Sequence, residues 1–338
     1  MDFLLLKVFL MHLGMLFSVP LIFVVMLYFM SPATLFTLGA WCLSWKYGLK
    51  ERYAEHQGYR FCYFSLGKPS LKPSILLLHG FSLRKESWLF IIKYFPKDTH
   101  LICIDMPGHG KTSCLPGDSY SGFDQARRIH QFVECIGLNR QPFHLVGISM
   151  GGMVAGLYAA QHPSDLCALT LLCPAGLRYP VDNELMKKMK ELEKTHKLYT
   201  ENPLIPLTVT TIAGFLKLTM YKSMKLPNQI LRGMLKRREQ ESNFFVKCFS
   251  DLFSEENRYQ LQDNISKIKT PTLVIWGKND HVLDPSGAEI LARAIPDTQV
   301  HVLEKCGHLI TLDWPTKAMG FIMDFHTSLS IKMSKKLV

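Results

Sequence analysis

At residues 143–152 an apolar run, Phe143-His144-Leu145-Val146, meets Gly147-Ile148-Ser149-Met150-Gly151-Gly152. The run follows Pro142 and reads as a short buried strand. Met153 to Ala160 is small and apolar and ends near His162-Pro163, which reads as a helix packed on a sheet. A strand that becomes a helix within one residue brings two backbones almost into contact. Only glycine then fits two positions either side of Ser149. The serine hydroxyl stands clear on that turn, faced by the helix amides and dipole. The pattern commits the chain to an α/β architecture and marks Ser149 as a candidate nucleophile. A serine that merely caps the helix is the plain alternative.

A nucleophilic serine needs a base, an acid to orient it, and donors for the developing oxyanion. On this type of turn the partners follow in the order serine, acid, histidine. Pro271-Thr272-Leu273-Val274-Ile275-Trp276-Gly277 reads as another buried strand, with Lys278-Asn279-Asp280-His281 after it. A carboxylate just past a strand's carboxyl end lies on the ligand-binding edge of such a sheet, so Asp280 is the candidate acid. Asp284 competes, but before Pro285 it reads as the start of the next helix. Gln299 to Leu303 predicts the last strand, and His308 follows Gly307 on the loop beyond it, the candidate base. His281 and His301 read as surface or packing residues.

Two backbone amides complete the set: Met150, directly after the serine, and Phe81, in the turn that ends Ser74-Ile75-Leu76-Leu77-Leu78-His79-Gly80. His79 reads as a brace for that turn. Two other patterns carry less. Gly110-Lys111-Thr112 resembles the tail of a phosphate loop, yet Asp105 stands where that motif needs glycine, and Ile102 to Gly110 reads as a strand and its exit. His308 to Asp313 has the His-x4-Asp spacing of some glycerolipid acyltransferases, two fixed positions in six.

The N-terminal part sets a second constraint. Val8 to Met30 holds twenty-three residues without a formal charge. That predicts a bilayer-crossing helix, with Pro20 able to kink it; a buried soluble helix is the alternative. Lys7 is opposed by Asp2 before the span, whereas Lys46, Lys50 and Arg52 follow it, which places the bulk of the chain in the cytosol. Ala33 to Trp45 is too short to span and reads as interfacial, with Trp41, Trp45 and Tyr47 at headgroup depth. Nine scattered cysteines show neither a disulfide framework nor metal spacing, in keeping with a reducing compartment. The sequon Asn264-Ile265-Ser266 is usable only in the reverse topology. A net charge of +11 without a nucleic-acid motif points to anionic membrane surfaces.

Between the strand at 169–174 and the acid strand at 271 lie almost a hundred residues, far more than one crossover needs. They read as a helical lid. Its pieces are a charged helix over 184–197, an apolar stretch over 212–221, a basic amphipathic stretch over 226–238, and Phe244, Phe245, Phe249 and Phe253 at helical spacing. These stripes either pack the lid on the core or line an acyl-chain pocket over Ser149.

Leu78-His79-Gly80-Phe81, Asp105-Met106-Pro107-Gly108-His109, Ser149-Met150-Gly151-Gly152, Trp276-Gly277-Lys278-Asn279-Asp280 and Cys306-Gly307-His308, together with the anchor, resemble the membrane-anchored monoacylglycerol lipases of the α/β-hydrolase domain-containing family. The resemblance covers nearly the whole chain. It implies an α/β-hydrolase fold, a mostly parallel sheet flanked by helices, with a helical lid and an N-terminal transmembrane helix. It also implies serine-dependent hydrolysis of monoacylglycerols, arachidonoylglycerol included, and of lysophospholipids, without cofactor or metal. Intracellular membranes, late endosomes and lysosomes among them, are the implied location. Ile148 stands where relatives often carry threonine, and Asp313 where glutamate is common.

The expected organisation is a signal-anchor at 8–30, a juxtamembrane amphipathic segment at 31–58, a core at 59–174 and 269–330, and a lid at 175–268. The expected partners are a lipid substrate and the bilayer, with no nucleic acid. A catalytically silent membrane scaffold and an acyltransferase on the same fold are the alternatives. Soluble carbon–carbon hydrolases share the motifs but have no use for an anchor.

Overall fold

The computed structural model describes residues 3–198, 200–222 and 224–334. The chain opens with α1 (Phe3–Met30) and α2 (Pro32–Lys46), separated by Ser31 with proline at the first position of the second helix. A hairpin follows, β1 (Lys50–His56) and β2 (Tyr59–Leu66), then β3 (Ile75–Leu78), the short α3 (Leu89–Ile92), β4 (Leu101–Ile104) and α4 (Gly122–Cys135). Next come β5 (Phe143–Ile148), α5 (Met150–Gln161) and β6 (Leu166–Leu172). The lid supplies α6 (Glu184–Lys194), α7 (Val209–Thr219), α8 (Asn228–Glu239) and α9 (Ser242–Phe253). The chain closes with β7 (Thr272–Gly277), α10 (Gly287–Ala294), β8 (Thr298–Leu303), α11 (Ile310–Asp313) and α12 (Pro315–Ser334).

One eight-stranded sheet runs in the order β1-β2-β4-β3-β5-β6-β7-β8. The β1/β2 and β2/β4 pairings are antiparallel and all others parallel. The central strands β3, β4, β5 and β7 are buried along their whole length. That is why they read as continuous apolar runs and not as alternations. Strand order reverses direction at β3, so the carboxyl ends of β3 and β5 open the crevice in which such sheets bind ligands.

The structure redraws one boundary. Residues 31–58, expected as a single juxtamembrane segment, divide between α2 and the edge strand β1, whose seven residues pair in full register with β2. Lys50-Glu51-Arg52 presents charge on an exposed edge, a usual guard against further strand pairing, and so resembles a polar linker in sequence. The helix α2 packs against the lid helix α8 while Trp41 and Trp45 stay largely exposed. Gly233 makes that packing close: a Cβ there would lie 2.9 Å from the Pro32 backbone and 3.0 Å from the Phe36 ring. The Gln229 amide also donates to the Phe29 carbonyl at 2.7 Å, tying the lid to the end of α1.

Among the described residues one helix is long and apolar enough to cross a membrane, Lys7–Met30, and none of its apolar window is buried. The sequon is not available in the folded chain. Asn264 is buried and its amide donates to the Gln260 carbonyl at 2.8 Å.

The tightest point of the fold is the β5–α5 turn. A Cβ on Gly147 would fall on the Gly151 carbonyl, and one on Gly151 would fall on the carbonyls of Leu78 and His79. Gly320, exposed on α12, has open space around it. Gly147→Ala is therefore expected to destabilise by on the order of 3 kcal/mol. The chemically identical Gly320→Ala should stabilise by about 0.5–1 kcal/mol. Thermal unfolding of the two variants in the same detergent checks the opposite signs.

Candidate active site

Ser149 occupies φ 56°, ψ −120°, a region that costs a non-glycine residue roughly 1–3 kcal/mol. Its backbone is held on both sides. The Ser149 amide donates to the Leu172 carbonyl at 2.9 Å, while its carbonyl accepts from Met153 and Ala175, each at 3.0 Å. The glycines remove the Cβ atoms that would block the turn, and the end of β6, the residues just beyond it and the first turn of α5 supply the bonds that hold it.

Asp280 and His308 come together across 28 residues. His308 Nδ1 donates to Asp280 Oδ2 at 2.7 Å, with both residues about 5% exposed. The other carboxylate oxygen accepts from the amides of Val282 (2.8 Å) and Leu283 (3.0 Å). An ionised carboxylate only accepts, so the imidazole proton sits on Nδ1 and Nε2 is left as the acceptor. The two loops meet because Gly277 and Gly307 let them touch: a Cβ on Gly277 would fall on the Gly307 carbonyl. The Asn279 amide also donates to the Cys306 carbonyl at 2.8 Å. Asp284 instead accepts from the Ser286 amide at 2.9 Å, the helix-start role read for it.

Cys173, fully buried beyond β6, links the pieces. Its thiol donates to the His308 carbonyl at 3.2 Å, and burial pushes its pKa well up, so it stays neutral. Sequence reasoning passed over it because an apolar strand end gives a cysteine no distinguishing signal.

The Phe81 turn lies directly against the serine. A Cβ on Gly80 would sit 3.2 Å from Ser149 Cβ. Among the described residues the amides of Phe81 and Met150 donate to no protein group, as oxyanion donors must. Two buried imidazoles brace the turn. His79 Nδ1 donates to the Gly80 carbonyl at 2.8 Å and its Nε2 accepts from the Met106 amide at 2.9 Å. His109 Nδ1 donates to the Pro107 carbonyl at 3.1 Å and its Nε2 accepts from the Ser82 amide at 3.3 Å. From the lid, Arg238 reaches the Ser82 hydroxyl at 2.6 Å; burial brings its pKa down to about 10, so it stays charged.

Asp105, the residue that spoils the phosphate-loop pattern, is fully buried and paired with Lys85, itself 1% exposed, at 2.8 Å. It also accepts from the Lys85 amide (2.8 Å) and the Lys111 amide (3.1 Å). Burial opposes the Lys85 charge, but Asp105 and then Glu86 overcome it and raise the pKa. Asp313 likewise has a structural task. Its Oδ2 accepts from the Gly307 amide (2.8 Å) and the Tyr221 amide (2.9 Å), joining the histidine loop to the end of α7. The Leu309 amide adds a bond to the Thr219 carbonyl at 2.8 Å.

A cavity of about 120 Å³ lies over the serine, lined by Ser149, Met150, Phe81, Met189, Phe249 and neighbours from the lid. A larger one of about 550 Å³ begins at Ile148, Leu309 and Ser82, each adjacent in sequence to Ser149, His308 and Phe81.

A strand-to-helix elbow carrying serine, with an acid–imidazole pair on the same sheet edge, is the site of a serine hydrolase, and the α/β-hydrolase fold family model matches residues 73–315. Monoacylglycerol lipase ABHD6 of Mus musculus is 46% identical over 320 residues, 95% of each chain. That of Homo sapiens is 46% identical over 311 residues, 92% of each. The crystal structure of a membrane phospholipase A, a bacterial virulence factor, superposes with a TM-score of 0.80 at 29% identity, over 96% of this chain and 99% of that one. The chain belongs to the α/β-hydrolase fold family, in the group of these monoacylglycerol lipases.

Two outcomes follow from the buried groups. Removing one partner of the Lys85–Asp105 pair leaves a bare buried charge, so Lys85→Met should cost roughly 3–5 kcal/mol, with part recovered in the Lys85→Met/Asp105→Leu double variant. Chemical denaturation of the three proteins measures it. Burial lowers the His79 pKa to about 3 and that of His109 well below its ordinary value. Unfolded imidazole titrates near about 6.5. The unfolded chain therefore binds more protons between those values, and the stabilisation, complete above about 6.5, is lost as the pH falls toward about 3. Unfolding free energy measured from pH 7.5 to 5 should decline, and more gently in a His79→Asn variant.

Proposed function

We propose that this chain is a membrane-anchored serine lipase that hydrolyses monoacylglycerols to fatty acid and glycerol. The observation that carries it is the buried 2.7 Å His308–Asp280 pair on the sheet edge that bears the strained Ser149. Six relatives at 44–46% identity bear the name monoacylglycerol lipase, which supports the substrate class. The exposed apolar helix α1 supports membrane association, and Lys46, Lys50 and Arg52 after it support a cytosolic catalytic domain.

In this reading His308 Nε2 takes the Ser149 hydroxyl proton as the oxygen attacks the ester carbonyl. Asp280 holds the tautomer that makes Nε2 basic and stabilises the imidazolium. The Phe81 and Met150 amides meet the charge that develops on the carbonyl oxygen. The imidazolium then gives its proton to the glycerol oxygen as the C–O bond breaks, leaving an acyl-serine and free glycerol. Water, losing a proton to His308, repeats the attack and releases the fatty acid. No cofactor enters this sequence. Transfer to an acceptor other than water is not favoured, because Asp313, the second residue of the acyltransferase-like spacing, is engaged with Gly307 and Tyr221.

A fluorophosphonate probe should label the wild-type protein, and Ser149→Ala should abolish both labelling and monoacylglycerol turnover. Asp280→Asn, which favours the wrong imidazole tautomer, should lower kcat by roughly 10⁴-fold. Labelling and turnover that survive in Ser149→Ala would overturn the assignment and favour a scaffold role.

A further inference from the structure

The larger cavity has one wall that the lid does not make. Leu35, Phe36, Gly39, Ala40 and Leu43, all on α2, face α7 and α8 across it. Ile148 and Leu309, the chain neighbours of the elbow serine and the candidate base, are among its lining residues, while Ser149 itself lines the smaller cavity. Apart from a cluster around Arg237 and Glu241 the lining of the larger cavity is almost wholly apolar. At about 550 Å³ it falls within the roughly 300–1,000 Å³ typical of small-molecule pockets. The wall is fixed in place. Gly233 lets α8 pack against Pro32 and Phe36, and Gln229 binds the last turn of α1. The exposed rings of Trp41 and Trp45 on the same helix suit the headgroup layer.

We infer that α2 is a substrate-binding element: the acyl chain lies against it, entering from the bilayer, and Gly39 sets how much chain the chamber accepts. Gly39 is the telling residue. A helix-interior glycine costs stability relative to alanine, and here nothing lies within 4 Å of the position a Cβ would take. Neither turn geometry nor close packing requires glycine. Gly39 is exposed and is among the residues that line the chamber, so a larger side chain there has room to extend along the α2 wall without pressing on the fold.

This inference rests on the lipase reading, and the experiment separates the two. Full-length protein in detergent micelles is assayed on a monoacylglycerol with an eighteen- to twenty-carbon chain and on a butyrate ester, with Gly39→Leu and Gly39→Ala beside wild type. The ratio of kcat/KM for the long substrate over the short one should fall by roughly tenfold or more in Gly39→Leu, the scale on which apolar pockets discriminate by a methylene or more. Gly39→Ala should fall between. Labelling of Ser149 by alkyl fluorophosphonates of short and long chain gives a second measurement, and the long probe alone should slow. An unchanged ratio, or equal slowing of both probes, overturns the role of α2. Turnover that persists in Ser149→Ala overturns the lipase reading itself, whatever Gly39 does.

Discussion

The contact between the end of β5 and the first turn of α5 is the constraint on which the rest of the site depends. Two backbones pass so closely at Gly147 and Gly151 that no side chain fits, and the residue between them is forced to positive φ. That strain persists because bonds from Leu172, Met153 and Ala175 hold Ser149 more firmly than the strain can relax it. The same approach presses Gly151 against the carbonyls of Leu78 and His79, which brings the Phe81 turn alongside the serine. One steric fact thereby fixes the candidate nucleophile and one candidate oxyanion donor relative to each other. It also frees the Met150 amide, since the first residue of a helix has no partner for its N–H.

A turn made of Gly80, Phe81 and Ser82 would be mobile without support, and the support is polar and buried. His79 and His109 act as neutral spacers, each donating from one ring nitrogen and accepting at the other. The Lys85–Asp105 pair anchors the far end of the same loop to β4. A buried ion pair contributes little net stability once desolvation is counted. Its effect here is positional: Asp105 accepts from Lys85 and Lys111 amides, so two loops share one carboxylate. On the other flank Asp313 performs the same service for the histidine loop and the end of α7. Hydrogen bonds thus join lid and catalytic loops, among them those of Asp313 and Arg238.

What could be read from the sequence was whatever has a local signature. The elbow, the acid strand and the loop histidine each combine a short apolar run with glycine and one chemical group, so Ser149, Asp280, His308, Phe81 and Met150 could be picked out as candidates, and the apolar helix and the four lid helices were legible. The features that escaped are long-range or disguised. Lys85 and Asp105 lie twenty residues apart, Thr219 and Leu309 ninety, and no periodicity connects them. The strand β1 hid because a charged edge strand and a polar linker have the same composition. Asp313 was visible as a misleading spacing and as a departure from the family pattern, neither of which shows its bonds to Gly307 and Tyr221. Gly39 carried no signal, because a glycine on an exposed helix wall looks like any other.

The anchor and the lid are mechanically one unit, and this decides where the mouth of the site lies. The protein leaves the apolar surface of α1 uncovered, and in the proposed membrane-anchored lipase the bilayer takes it. Ser31 alone separates α1 from α2, so α2 has little freedom to move away from the candidate anchor. Gly233 locks α2 to α8, and α8 in turn grips the oxyanion turn through Arg238. A chain of direct contacts thus runs from the candidate anchor to the turn proposed to stabilise charge at the ester. A lipid that leaves the membrane along α2 is never required to cross water, and the desolvation that would otherwise oppose its transfer, about 0.8 kcal/mol for each methylene, does not arise. On the proposed reading the anchoring unit therefore does more than raise the local concentration of substrate, because its second helix α2 supplies part of the surface against which the acyl chain lies.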